Sequence, residues 1–169
     1  MKDIMILDGY NVINALPELR ELIRADFSGA RDRLIEIMAE YRSYRDIDIR
    51  IVFDAHLSPR AQERHEMLKG VEVVFTREKM TADGYIEKVI HALALRRQVI
   101  VVTNDWTEQL MVLGSGAVRL SVRELALDLL EAKRGIQETT GKLNREKDFL
   151  SHRIDEATRK KLEDFRRRR

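Results

Sequence analysis

The chain has no cysteine, which removes disulfides, thiolate nucleophiles and cysteine metal sites from its chemistry. It also lacks any apolar run near the roughly 20 residues that a bilayer span requires, and its N-terminus has none of the charged, apolar and small-residue zones of a signal peptide. A cytoplasmic protein without a membrane crossing is the expectation. There is no internal repeat and no low-complexity segment apart from the terminal Arg166-Arg167-Arg168-Arg169. What is present is a chain of 169 residues, 44% hydrophobic and 36% charged. That is enough for one domain with a proper core, a heavily charged surface and an appendage.

Net charge is only +2, but it is unevenly distributed. From Lys142 to Arg169 there are eleven Lys and Arg against six Asp and Glu, whereas the preceding part has 20 against 23. A mildly acidic body therefore carries a basic tail, and such a tail suits a polyanion, either nucleic acid or an acidic membrane surface.

The opening stretch, Lys2-Asp3-Ile4-Met5-Ile6-Leu7 followed by Asp8-Gly9-Tyr10-Asn11, reads as a buried strand that delivers a carboxylate to the tip of a sheet. Gly9 is expected to let the backbone turn there. A polar, irregular stretch follows, with a short helix at Glu18 to Arg24, and Ser28 is placed to cap a helix running to about Tyr44. Asp48 to Phe53 is a second strand, again ending in a carboxylate, Asp54. A short helix is expected between Ala55 and Lys69, with Pro59 in its first turn and Arg60, Arg64 and Lys69 along it. Val71 to Phe75 is a third strand, and Thr81 caps a helix from Ala82 to about Arg96. The fourth strand, Gln98 to Val102, runs into Thr103-Asn104-Asp105. A helix from Trp106 to Leu113, a short strand at Ala117 to Leu120 and a helix opened by the Ser121-to-Glu124 capping box complete the body.

Strands alternating with helices at this spacing imply an α/β fold, with a central, mainly parallel sheet of about five strands flanked by helices. Residues 1–134 form the domain. Residues 135–169 form a basic extension: a linker or frayed helix end near Gly135 to Gly141, then a polar helix from Lys142 to Phe165.

In an open parallel sheet, ligands bind beyond the carboxyl ends of the strands. The topology brings Asp8, Asp54 and Asp105 to that rim at strand ends, and Asp83 to the start of a helix. Like charges held close raise one another's pKa unless a cation neutralises them, so a bound divalent ion is the economical explanation of the group. Oxygen donors without cysteine or a histidine pair favour Mg²⁺ or Mn²⁺ over Zn²⁺. Such ions activate water for in-line attack on a phosphodiester. Asp8, Asp83 and Asp105 are the candidate ligands. Asn11 and Thr103 stand beside them as orienting groups, and Asp54 and Glu87 are additional candidates. Arg60, Arg64, Arg77 and Lys79 flank the rim as candidate phosphate contacts. Tyr10, Tyr85 and Trp106 offer rings on which a base would stack.

Four segments in this order, Asp8-Gly-Tyr-Asn11-Val-Ile, Val52-Phe-Asp54-Ala, Thr81-Ala-Asp83 with Ile86-Glu87, and Val102-Thr-Asn-Asp105, resemble the motifs of NYN domains, a branch of the PIN-like nucleases, and among them the YacP type. The resemblance covers residues 2–134. It implies a PIN-like three-layer fold and a metal-dependent endoribonuclease with Asp8, Asp83 and Asp105 as acidic metal-site positions and Asn11 beside them. For the YacP type it also implies mRNA cleavage in association with the ribosome. RNA as the substrate comes mainly from this resemblance, with the basic tail as support. The competing reading keeps the fold as a non-catalytic RNA- or ribosome-binding module. Nothing in the sequence fixes an oligomeric state.

Overall fold

The structure, a computed structural model, describes residues 2–54, 62–105 and 114–153, with side chains through residue 141. By chain contacts it divides into two compact units, Met1–Ala132 and Lys133–Arg169.

The first unit is built on β1 (Ile4–Asp8), β2 (Asp48–Phe53), β3 (Arg64–Leu68), β4 (Val71–Phe75), β5 (Val99–Val102) and β6 (Val118–Leu120). These form one sheet in the order β3-β4-β2-β1-β5-β6. All neighbours are parallel except β3, which runs antiparallel along β4. The helices are α1 (Gly9–Ala15), α2 (Pro17–Ala25), α3 (Phe27–Arg45), α4 (Ala82–Leu93) and α5 (Val122–Arg153). No helix among the described residues is long and apolar enough to cross a membrane.

The central strands are apolar on both faces because both are covered. Met5, Leu7, Ile49, Ile51, Phe53, Val71 and Val73 pack with buried residues of α1, α2, α3 and α5, including Ile13, Leu19, Leu34, Met38 and Leu125. Ile4, Ile6, Val52, Val74, Val99 and Val101 pack on the other face under Ala82, Tyr85, Ile86, Val89 and Ile90 of α4. The start of α5 is tied to α3 by polar contacts as well: the Tyr41 hydroxyl donates to Asp128 at 3.2 Å, and Arg45 pairs with the same carboxylate at 3.3 Å.

Three expectations change. The stretch after Asp8 is not irregular: Asp8 is itself the N-cap of α1, accepting from Asn11 N–H at 3.1 Å, and Gly9 is the first helical residue. Asp26 rather than Ser28 caps α3, through an N–H of Gly29 at 2.8 Å. Arg64–Leu68 is a strand and not the end of a helix, because Lys69 (φ 51°) and Gly70 (φ 82°) both adopt positive φ. Two consecutive positive-φ residues make the tight turn whose twist matches a β-hairpin.

The second unit also departs from its reading. The chain from Gly135 to Gly141 stays helical, as part of α5. Each internal glycine weakens that stretch by about 1 kcal/mol relative to alanine. The hydroxyls of Thr139 and Thr140 fold back onto the carbonyls of Gly135 and Ile136, both at 2.9 Å, which keeps these polar side chains compatible with a helix. The expected helix at Trp106 to Leu113 lies outside the described residues, as does the tail beyond Arg153.

Candidate functional site

The chain goes from β1 outward through β2 and β4, then returns across β1 to lay down β5 on its other side. The carboxyl ends of β1 and β5 therefore flank the point where strand order reverses, the usual ligand position in an open α/β sheet. Asp8 ends β1 and Thr103-Asn104-Asp105 follows β5.

Side chains alternate across a strand. Ile4 and Ile6 face α4, so Asp8 belongs to that face; Asp54 follows Val52 there, and Thr103 follows Val101. Asp83 stands in the first turn of the same helix, whose N-cap Thr81 accepts from Gly84 N–H at 3.1 Å. The Asp54 carboxylate receives the Ala82 N–H at 3.4 Å. The four acids thus collect at one end of one face, between the strand tips and the start of α4.

Their electrostatics agree with that placement. Burial is the largest influence on Asp8 and raises its carboxyl above the ordinary aspartate value; the Asn11 N–H opposes it, the Asp83 charge adds to it, the Tyr10 N–H opposes it and the Asp54 charge adds to it. Burial likewise raises Asp83, with further contributions from the charges of Asp105 and Asp54. These are carboxyls that resist ionisation where they stand. Among the described residues, however, no three acids or histidines come close enough together to hold a metal ion unaided.

A second set of contacts stitches the two strand tips together. Asn11 accepts the Asn104 N–H at 3.0 Å, and the Asn104 side chain accepts the Val122 N–H at 3.0 Å. Buried Thr103 accepts the Asp105 N–H at 2.9 Å. Asn11 and Thr103, expected as orienting groups beside the acids, also hold the β5 turn in position, and Asn104 accepts the first N–H of α5 beside the Ser121/Glu124 capping box. Replacing Asn104 by alanine should cost about 1 kcal/mol. Thermal melting would show this as a drop of a few degrees, while Asn104→Asp, which keeps the acceptor, should melt near the wild type.

The flanking cations and rings fare differently. Arg77 and Lys79 are exposed in the turn between β4 and α4, where Met80 N–H bonds to the Arg77 carbonyl. Arg64 is engaged at the sheet edge: it pairs with Glu66 at 2.7 Å and its guanidinium sits 4.6 Å from the Phe75 ring centroid. Arg60 and Trp106 lie outside the described residues. Glu87 is exposed on α4 and reaches His91 at 4.0 Å along its own helix. Tyr85 is buried edge-on against His65, so its ring is not available to a ligand.

The sequence reading missed an aromatic group beside the acids. Tyr10 packs on Phe27 (5.1 Å between centroids) and Phe53 (5.0 Å), and Phe53 stacks on Phe75 at 5.7 Å. Arg31 lies over both Phe27 and Phe75. Its sequence signal is the Phe27/Arg31 pair at helical i,i+4 spacing.

Comparison with known proteins places this geometry. The pattern of the YacP-like NYN domain matches residues 5–167. The protein named uncharacterized protein YacP from Bacillus subtilis (strain 168) is 42% identical over 166 residues, covering 98% of this chain and 97% of that one. The crystal structure of Rae1 (YacP) from Bacillus subtilis superposes with a TM-score of 0.72 at 41% identity, over 98% of this chain and 95% of the other. A tryptophan-to-leucine mutant of that protein gives 0.73 at 43% identity, over 85% of each chain.

Proposed function

The chain belongs to the family of YacP-like NYN domains, and from that premise and its acidic rim we propose that it is a metal-dependent endoribonuclease acting on mRNA in association with the ribosome. NYN domains are generally nucleases, which points to RNA as substrate. The observation that carries the catalytic reading is the convergence of Asp8, Asp54, Asp83 and Asp105 within electrostatic reach of one another at the switch point of the sheet. Carboxylates gathered at one rim repel one another, and a bound cation would relieve that repulsion.

The donor set fits a hard cation. It offers carboxylate and amide oxygens, with no thiolate in the chain and no imidazole at the strand tips among the described residues. Mg²⁺ is commonly held by one or two carboxylates, with water and substrate phosphate filling the other positions, so a site short of a three-acid cage meets its demand. Asp8, Asp83 and Asp105 are the residues proposed to hold it, directly or through its bound waters. When bound, Mg²⁺ or Mn²⁺ would supply an activated water and charge neutralisation on the phosphodiester.

The protein's own contribution is positional. Asp8 is fixed by the N–H of Asn11 at 3.1 Å, so its carboxylate is oriented before substrate arrives. The Asn11 to Asn104 bond sets the distance between the β1 and β5 tips. Arg77 and Lys79 stand on the approach to Asp83 and would take backbone phosphates.

Incubation of end-labelled mRNA, both naked and engaged in translation, with Mg²⁺, Mn²⁺ or EDTA tests the proposal. Internal cuts that need a divalent ion are expected, and a requirement for translation would bring in the ribosome as partner. RNA that is bound but left intact in every condition would replace the enzyme with a binding module.

A further inference from the structure

Resting on the RNA reading above, we propose that Phe27, Arg31 and Phe75, joined to Asp8 through Tyr10, form a nucleotide subsite. In it a base of single-stranded RNA stacks on the exposed ring while the Arg31 guanidinium receives the neighbouring phosphate.

Three elements build it. Phe27 opens α3 and Arg31 follows one turn later; Phe75 ends β4; Tyr10 lies in the first turn of α1. The inner part of this group is core, since Phe53 is wholly buried. The outer part is not: Phe27 is 40% exposed, and Tyr10 and Phe75 are half-buried. A ring needed only for packing would gain more from closing that surface.

Arg31 is the second observation. Its guanidinium lies 5.7 Å from the Phe27 centroid and 5.6 Å from that of Phe75, with its charge acting on the Tyr10 hydroxyl. Among the described residues it has no carboxylate within ion-pair distance, whereas Arg33, Arg45, Arg50 and Arg64 each have at least one. A guanidinium oriented by rings rather than by an acid keeps its charge for an incoming anion.

The position relative to the acids makes RNA the occupant. Tyr10 follows Asp8 by two residues in the first turn of α1, and its hydroxyl lies within the field of Asp54. A strand whose scissile phosphate is held at an acidic rim needs a cation beside it, and a π-face next to that cation accepts any unstacked base. Duplex RNA keeps its bases stacked and would not enter.

The test uses the full chain and a short fluorescein-labelled single-stranded RNA in EDTA, read by anisotropy, beside cleavage of mRNA under translation with Mg²⁺. Phe27→Leu keeps apolar volume and removes the ring; Arg31→Gln removes the charge and Arg31→Lys restores it. Arg20→Gln, an exposed arginine on α2, controls for general charge loss. Phe27→Leu is expected to weaken binding about tenfold, with no effect on a probe abasic throughout. Arg31→Gln should weaken both probes, with partial recovery in Arg31→Lys and no change in Arg20→Gln. Where free RNA binds too weakly to read, the same ranking is expected in the mRNA concentration needed for half-maximal cleavage.

Wild-type binding or cleavage that Phe27→Leu and Arg31→Gln leave unaltered would overturn the subsite and leave the nuclease reading standing. Loss of ribosome association in these variants with RNA affinity intact would assign the surface to a protein partner and overturn it equally. A wild type that neither binds RNA nor cuts mRNA in either format would overturn both.

Discussion

Gly9→Ala is expected to destabilise the fold by about 3 kcal/mol, the upper end of what inserting one methyl group into a packed interior costs. A Cβ on Gly9 would lie 2.3 Å from Cε1 of Phe53, 2.5 Å from Cδ1 and 2.9 Å from Cζ. The ring cannot step aside, because it is wholly buried and packed between Tyr10 and Phe75. Gly9 also adjoins Asp8, so any backbone shift that relieves the collision moves the carboxylate. For a chain of this length the loss corresponds to a fall in Tm of roughly 10 °C. Shrinking the obstacle should rescue it: Gly9→Ala combined with Phe53→Leu is expected to be less destabilised than the sum of the two singles by about 1 kcal/mol or more. A Gly9→Ala protein that melts with the wild type would mean that α1 does not approach β2 this closely.

Asp8→Asn carries effects of opposite sign on stability and activity. A carboxyl whose pKa is raised by folding binds more protons in the native than in the unfolded state over the interval between its ordinary and raised values. Stability then falls as pH rises through that interval and stays lowered above it. Asparagine removes the charge and retains the oxygen that caps α1, and the two residues are nearly equal as N-caps. In EDTA near pH 7, Asp8→Asn should therefore melt higher than the wild type, and the gap should close as pH drops below the ordinary aspartate range. Added Mg²⁺ should raise the wild-type Tm and leave the variant nearly unmoved, since binding to the native state alone is what stabilises. Cleavage should fall by at least about a hundredfold, the scale seen when one preorganised electrostatic group is removed from a reacting centre. A variant that melts lower than the wild type at neutral pH in EDTA would remove the charge-repulsion argument.

The rim of acids was legible because each apolar run that becomes a central strand stops at a polar residue. Ile4 to Leu7 stops at Asp8, Ile51 to Phe53 at Asp54, and Val99 to Val102 at Thr103. Burial on both faces writes such strands as continuous hydrophobic runs. The same logic hid β3, since Arg64–Leu68 lies at the sheet edge with little buried and carries no such run; Lys69-Gly70 was its readable trace. Gly9 was expected to bend the chain, but the two glycines of positive φ are Gly70 and Gly116 among the described residues. Its role is to admit the Phe53 ring, a contact between two elements that local pattern does not encode. The aromatic group escaped for the same reason, because Tyr10, Phe27 and Phe75 meet only after three elements pack.

The nuclease reading turns most directly on one comparison: internal cleavage of end-labelled mRNA under translation with Mg²⁺ by the wild type and by Asp8→Asn, with RNA retention by each protein measured in the same samples. The rim of acids predicts metal-dependent cuts by the wild type, none above background by the variant, and equal retention by both. Equal cutting by the two proteins, or no cutting by either while retention persists, would contradict it.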